Sequence, residues 1–335
     1  MPAATQPRIW TLTDQAAGNR QQAAALALAL GGATTHVPLR FPQPWRALAP
    51  RLLRYALSTL PIASRTLLVP PWPDIAIGCG RQSALALRAL KRTVEAPLFT
   101  VQILDPRIDP AAYDLVIAPL HDALTAPNVL TSLGALNAID AAWLDAARRH
   151  APALAELARP ITTVLIGGSH RQARLDVASL QRLFQSLAAA RAEHGGSVLV
   201  LASRRSQRAL HAPLRALSAS LGARCWIDAS DGENPFAPWL ANADRVVVSA
   251  DSVNMLSEAL ALGVPVISHA AYGLSGKLAR FDAALRERGL LSTWSDPPQA
   301  QIPLRETPAL AAQVRQCWER SNQSWIGGAQ LNQSR

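Results

Sequence analysis

The run Thr162-Thr-Val-Leu-Ile166, closed by Gly167-Gly168-Ser169, and the run Ser197-Val-Leu-Val-Leu-Ala202, closed by Ser203-Arg204-Arg205, decide the fold. Both are short, apolar and rich in β-branched residues, and both stop at small or polar residues, as strands buried on two faces do. The residues between them, Leu175–Glu193, read as a helix. Strand, helix and strand in that order predict a parallel pair with a crossover helix.

The same rhythm continues outward in both directions. Downstream, Arg224–Ile227 is a short strand, Phe236–Ala241 a helical turn and Arg245–Ser249 a strand. After Asp251-Ser252 comes a helix to Leu262, ended by Gly263 and Pro265, and then the strand Val264–Ser268. Lys277–Arg288 and Pro308–Ser321 are helices, with a frayed tail expected after Trp325. Upstream, Arg8–Leu12, Thr35–Leu39, Asp74–Ile77, Leu98–Ile103 and Asp114–Ala118 read as strands. Arg20–Leu30, Trp45–Leu60, Ser83–Thr93 and Asp140–Ala158 read as helices, the last broken at Pro152. A linker is expected at Arg159-Pro160, which divides the chain into 1–158, 159–305 and a C-terminal helix and tail, 306–335, packing back on the first domain.

The chain has 335 residues, enough for two cores of about 150 residues each. With 49% hydrophobic and 17% charged residues it is too apolar to be disordered. The formal charge is +10, from 14 basic and 9 acidic residues before position 155 and 19 and 14 after it, so there is no basic tail. Broad positive charge suits anionic partners; no nucleic-acid motif accompanies it, and nucleic acid is not expected. Cys79, Cys225 and Cys317 are far apart and exclude a disulfide framework or a zinc site, and the histidines show no metal spacing. No metal or cofactor is expected. Met1-Pro-Ala-Ala-Thr5 does not read as a signal peptide, and no apolar run nears the roughly 18 residues of a membrane span, so a cytoplasmic protein, soluble or bound peripherally at the inner membrane, is expected.

Ligands of open parallel sheets bind beyond the carboxyl ends of the strands, so those loops carry the candidate chemistry. Gly167, Gly168, Ser169 and Arg171 offer backbone N–H groups and a forked cation to a phosphate; the same residues also read as an ordinary strand-to-helix turn. Ser203, Arg204 and Arg205 suit a diphosphate, or are a solvated pair of charges. In Ala250-Asp-Ser-Val-Asn-Met-Leu-Ser-Glu258, Asp251 or Ser252 can cap a helix, and Asp251, Asn254 and Glu258 share one face of it. A carboxylate there can accept from two ribose hydroxyls; an amphipathic helix with its polar side in water is the competing reading. Gly78-Cys-Gly-Arg-Gln-Ser83 lacks the third glycine of a dinucleotide fingerprint. Asp14, in a polar loop, can act as a base, bind a hydroxyl or cap the loop, and His121-Asp122 contains a candidate base or caps a turn. From Gln15 to Pro73 there is no acidic residue, whereas Arg20, Arg40, Arg46, Arg51, Arg54 and Arg65 lie there with Trp45 and Tyr55. A basic amphipathic helix over Trp45–Leu57 suits an anionic membrane surface, or is a solvent face over a core helix.

Several segments together resemble the "elongated mitochondria" (ELM-like) mitochondrial-fission family, whose bacterial members are described as glycosyltransferase candidates. They are Trp10-Thr-Leu-Thr-Asp14 with Gly18-Asn19 and Gln22, Asp114-Leu-Val-Ile-Ala-Pro-Leu-His-Asp122, and Asn128-Val-Leu-Thr with Gly134-Ala-Leu136. Val164-Leu-Ile-Gly-Gly168, Ser203-Arg-Arg205, Asp251-Ser-Val-Asn-Met-Leu-Ser-Glu258 and Gly276-Lys-Leu-Ala-Arg-Phe281 follow in order. The resemblance spans nearly the whole chain. It implies a GT-B-like α/β fold, two facing Rossmann-like domains with parallel sheets. It also implies a metal-independent transfer of sugar from a nucleotide-sugar to an envelope- or lipid-linked acceptor at the cytoplasmic membrane face. Glu258 matches the ribose-binding glutamate of similar enzymes and Lys277 joins the donor side, while Gly18, Asn19 and Gln22 fall on the acceptor side. Where those enzymes have a glycine-rich loop followed by histidine, this chain reads Gly18-Asn19. A nucleotide-sugar epimerase and a non-catalytic scaffold recruited to membranes share the architecture and stand as alternatives.

Overall fold

The computed structural model describes residues 6–168, 172–270, 273–296 and 300–333. It divides into two compact units, Met1–Ala138 with Glu306–Arg335, and Ile139–Arg305. In the first, β1 (Ile9–Thr13), α1 (Ala17–Leu30), β2 (Thr34–Pro38), the single turns α2 (Trp45–Leu48) and α3 (Ile62–Arg65), and β3 (Ile75–Cys79) come in order. They are followed by α4 (Arg81–Thr93), β4 (Phe99–Ile103), β5 (Leu115–Pro119) and β6 (Val129–Ser132). The second holds α5 (Ala141–Arg149), β7 (Ile161–Ile166), α6 (Val177–His194), β8 (Ser197–Ala202), α7 (Arg208–Ser220) and β9 (Arg224–Trp226). Then come α8 (Phe236–Ala241), β10 (Arg245–Ser249), α9 (Val253–Leu260), β11 (Val266–His269) and α10 (Gly276–Glu287). The last helix, α11 (Thr307–Gln333), returns to the first unit.

Every strand pairing is parallel. The first sheet runs β2-β1-β3-β4-β5-β6 and the second β11-β10-β7-β8-β9. The apolar runs are continuous because both faces of each sheet are covered. In the first unit Trp10, Leu12 and Ala76 pack under α4, while Ile9, Ile75 and Ile77 pack under α1 and α11. In the second, Val164, Val200 and Val247 face Leu180, Leu183 and Phe184 of α6 and Leu210 and Leu214 of α7.

Strand order fixes where a ligand crevice can open. Connections leave in opposite directions at one point in each sheet, between β1 and β3 and between β7 and β10. At such switch points the loops beyond the strand ends diverge and leave room for a ligand.

Four expectations are corrected. The helix over Trp45–Leu60 is a single turn, α2, because Pro50 has no N–H and disfavours a helical Ala49 before it. The segment is held from outside, where Arg81 of α4 donates to the carbonyls of Arg46 and Ala47 and Arg88 to that of Pro50, and within itself, where Trp45 Nε1 donates to the carbonyl of Arg54. The first unit ends at Ala138, not 158, because α5 packs on α8 and Arg148 Nε donates to the Ala241 carbonyl at 2.9 Å. Val129–Ser132 is an extra edge strand, too short to read alone. The C-terminal helix continues past Trp325 to Gln333, since Leu310, Ala311, Val314 and Trp318 anchor it and extending an anchored helix costs little.

Candidate functional site

The second unit brings four strand-end loops together around the switch point between β7 and β10. The β7 loop leaves through Gly167 and Gly168, the β8 loop through Ser203–Arg205, and β10 ends in Ser249-Ala250-Asp251. Near the start of α10, Ser275 donates its N–H to the Gln172 carbonyl at 3.0 Å, which ties Lys277, in the first turn of α10, to the β7 loop.

At the centre lies a carboxylate. Asp251 is 6% exposed, and its Oδ2 accepts the Gly168 N–H at 2.9 Å while Oδ1 accepts the Ser249 hydroxyl at 2.6 Å. The Ser249 oxygen in turn accepts the Gly167 N–H at 2.7 Å. Arg205 brings a guanidinium nitrogen to 3.8 Å from Oδ2, with 61% of its side chain exposed. Burial raises the Asp251 carboxyl above its ordinary range, partly offset by the Ser249 hydroxyl, Arg205 and the Gly168 N–H. The expectation that Gly167 and Gly168 present free N–H groups to a phosphate is therefore corrected: both donors are already committed. Ser169 and Arg171 lie outside the described residues.

Ser252, not Asp251, caps α9, accepting the Met255 N–H at 3.4 Å. The cap starts a helix whose apolar side, Met255, Leu256, Ala259 and Leu260, is buried, leaving Asn254 and Glu258 on the partly accessible side. Glu258 is pushed up to about 7, and burial is the whole cause: among the described residues no charge or hydrogen bond offsets it. Glu258 lies in the last turn of α9, whereas Ser252 at its start, the exposed Arg204, and Arg205 at 3.8 Å from Asp251 belong to the strand-end loops; the carboxylate can accept from hydroxyl donors and the arginines can meet an anion.

The first unit has a polar cluster at its own switch point. Asp14 accepts from Asn19 Nδ2 at 2.9 Å, from the Ala16 N–H at 3.1 Å and from Gln82 Nε2 at 3.4 Å, and Gln82 Oε1 accepts the Phe41 N–H at 3.1 Å. Asn19 also accepts from the buried Cys79 thiol, which burial pushes far above its usual range. Gly18 and Asn19 belong to the first turn of α1 rather than to a loop, and Gln22 is buried within that helix. His121 and Asp122 follow β5, two strands beyond β3, so interstrand spacing sets them roughly 14 Å from the β1 loop that carries Asp14. Their side chains are 7% and 5% exposed and 3.9 Å apart, and Asp122 accepts the Asp105 N–H at 3.4 Å. The three candidate catalytic residues thus do not form one constellation. Among the described residues no group of three His, Cys, Asp or Glu side chains is placed to hold a metal ion.

Gln82 and Ser249 were not singled out in the sequence. Gln82 sits in the first turn of α4, just after the Gly80 cap, and Ser249 is the last residue of β10; only the strand order shows that each faces a neighbouring loop.

A family profile described as mitochondrial fission ELM1 matches residues 17–318. The mitochondrial fission protein ELM1 of Arabidopsis thaliana is 29% identical over 279 residues, which cover 72% of this chain and 63% of that protein, so the chain spans less than two thirds of that relative's length. Among solved structures, the UDP-GlcNAc 2-epimerase of Methanocaldococcus jannaschii aligns with a TM-score of 0.53 at 11% identity, covering 92% of this chain and 98% of the epimerase. The same enzyme in complex with UDP-GlcNAc and UDP scores 0.50. The glycotransferase of kitacinnamycin aligns with a TM-score of 0.52 at 12% identity, covering 95% and 96%. At such identities the likeness to the two enzymes is one of fold, the α/β fold of two parallel-sheet units found in GT-B glycosyltransferases and epimerases. The profile runs from the first turn of α1 to the buried Trp318 of α11 and takes in both sheets, and by that extent the chain belongs to the mitochondrial fission ELM1 family.

Proposed function

We propose that the second unit binds the nucleoside diphosphate of a nucleotide-sugar and that the protein transfers the sugar to an envelope- or lipid-linked acceptor at the cytoplasmic membrane face. The observation that carries this reading is Glu258, an enclosed carboxyl with no described donor, one helix length from a switch point. A ribose offers two adjacent hydroxyls, which suit one carboxylate. Arg204 and Arg205, on the next loop, suit the diphosphate, whose developing charge on departure they would stabilise. A ligand of the kind held by the Methanocaldococcus epimerase, UDP-GlcNAc or UDP, is the first to test.

The membrane side of the proposal rests on the first unit. Arg40, Arg46, Arg51, Arg54 and Arg65 are exposed, and Leu48, Tyr55, Ile62 and Val69 are exposed among them, in the interval without a carboxylate. Basic and apolar side chains exposed along one segment suit an anionic bilayer surface. No described helix is long and apolar enough to cross a membrane.

Titration calorimetry with UDP, uridine and UDP-GlcNAc tests the reading. Binding of UDP and UDP-GlcNAc, with uridine weaker, supports it; binding of none of the three by wild-type protein refutes the uridine form. Incubation of the donor without acceptor then tests the epimerase alternative: an epimerised sugar points to an epimerase, and an unchanged donor argues against one.

A further inference from the structure

The glycine turn after β7 was the place to look for a phosphate, and the structure shows it filled by a side chain of the protein itself. Gly167 and Gly168 lack side chains for a reason that is on view. A Cβ on Gly167 would lie 2.1 Å from the Asp251 carboxylate, and one on Gly168 would lie 2.4 Å from the Arg205 carbonyl oxygen. No atom fits between the turn and the carboxylate, so a phosphate oxygen cannot share it. The same carboxylate reaches Arg205, whose N–H also bends back to Ser203 Oγ at 3.2 Å. The loops after β7 and β10 are thus joined by hydrogen bonds through one buried carboxyl group, and Arg205 of the β8 loop stands within ion-pair reach of it at 3.8 Å.

The geometry points to Asp251 as an internal stand-in for a phosphate: it occupies the glycine turn and faces one side of the Arg205 fork across 3.8 Å, so that a ligand's diphosphate meets the outer side of Arg205 and never the Gly167–Gly168 N–H groups. Asp251 is thus a positioning residue for Arg205, not a ligand contact. The inference rests on the nucleotide reading of the second unit for its consequence, but the anchor exists without any ligand. A guanidinium has donors on two edges, so it can bridge a fixed carboxylate and a phosphate. A lone arginine on a loop would have to be ordered by the ligand at an entropic cost.

Two measurements test it together. The first is hydrogen exchange of the ligand-free protein at Gly167 and Gly168. Slow exchange in the wild type that becomes fast in Asp251→Ala supports the anchor, and addition of UDP should give these two amides no further protection. Fast exchange in the wild type, or protection that appears only with UDP, overturns the inference even if UDP binds. The second is a double-mutant comparison of UDP affinity in Asp251→Asn, Arg205→Ala and the pair. Asparagine keeps the shape and can still accept the Gly168 N–H, so folding should survive. Asp251→Asn should weaken UDP about tenfold, leave uridine unchanged and cost nothing more once Arg205 is alanine. Additive losses, tighter UDP binding in Asp251→Asn, or an equal loss for uridine would each overturn it. If the wild type binds no nucleotide, the nucleotide reading falls by itself and the exchange experiment still decides whether Asp251 fills the turn.

Discussion

Replacing Glu258 by glutamine should change the pH dependence of stability by a predictable amount. The carboxyl is raised from 4.5 to about 7 by burial. Each tenfold change in proton affinity corresponds to about 1.36 kcal/mol, so the ionised form costs the fold about 3 kcal/mol. Below pH 4.5 the group is protonated in folded and unfolded chains alike and costs nothing. As the pH rises from 4.5 to 7 the unfolded chain gives up its proton first, and the fold loses stability; above 7 the whole cost is present. Glu258→Gln removes that slope. A glutamine amide has its own solvation cost, but it is the same at both ends of the range and cancels in the difference. Urea denaturation of both proteins at pH 5 and pH 8 should show the variant gaining about 2–3 kcal/mol relative to wild type at the higher pH, with equal slopes against denaturant. Parallel pH profiles would refute the buried-charge argument. Ligand binding supplies a second reading of the same group: hydroxyls that donate to the carboxylate favour its ionised form, so at pH 6 uptake of UDP should release a proton, measurable in buffers of different ionisation enthalpy.

Further outcomes follow from the same geometry. Arg204→Lys or Arg205→Lys keeps the charge and loses the fork, so whichever arginine grips the diphosphate should show UDP affinity reduced about tenfold by calorimetry with uridine unchanged; no change for either ligand would mean two solvated arginines. The basic patch around Arg46, Arg51 and Arg54 should sediment with anionic vesicles and be released by salt, and binding equally to neutral vesicles would rule out an electrostatic contact. Glu306 accepts the N–H groups of Leu133 at 2.8 Å and of Gly134 at 2.9 Å, so Glu306→Ala should lower the stability of the first unit by about 2 kcal/mol in thermal or urea unfolding.

The strands, their parallel pairing and the loops that carry polar residues were legible because each is a local pattern of a few residues. Ser252 as a helix cap and Glu258 on its accessible side follow from one helix and could be read from nine residues. What the glycine turn touches could not. Gly168 and Asp251 are 83 positions apart, and only the placement of β10 beside β7 makes them neighbours. Gly-Gly after a buried strand therefore read as room for a ligand, when it is room for Asp251. Helical spacing misled at Trp45–Leu60, where Pro50 outweighs the pattern. The distance between Asp14 and His121-Asp122 is likewise a matter of strand order, which nothing in either segment encodes.

The return of the last helix to the first unit sets an order of assembly during synthesis. On the ribosome, all six strands of that unit emerge before Ala138, and α1 can cover part of one sheet face, yet the part of that face and the α1 side chains that pack on Leu310, Ala311, Val314 and Trp318 lack their partners until α11 arrives. The intervening unit, Ile139–Arg305, has its own sheet and helices and can finish first. The part of the chain made first thus completes its core only with the part made last, and the apolar side chains that await α11 are open during elongation.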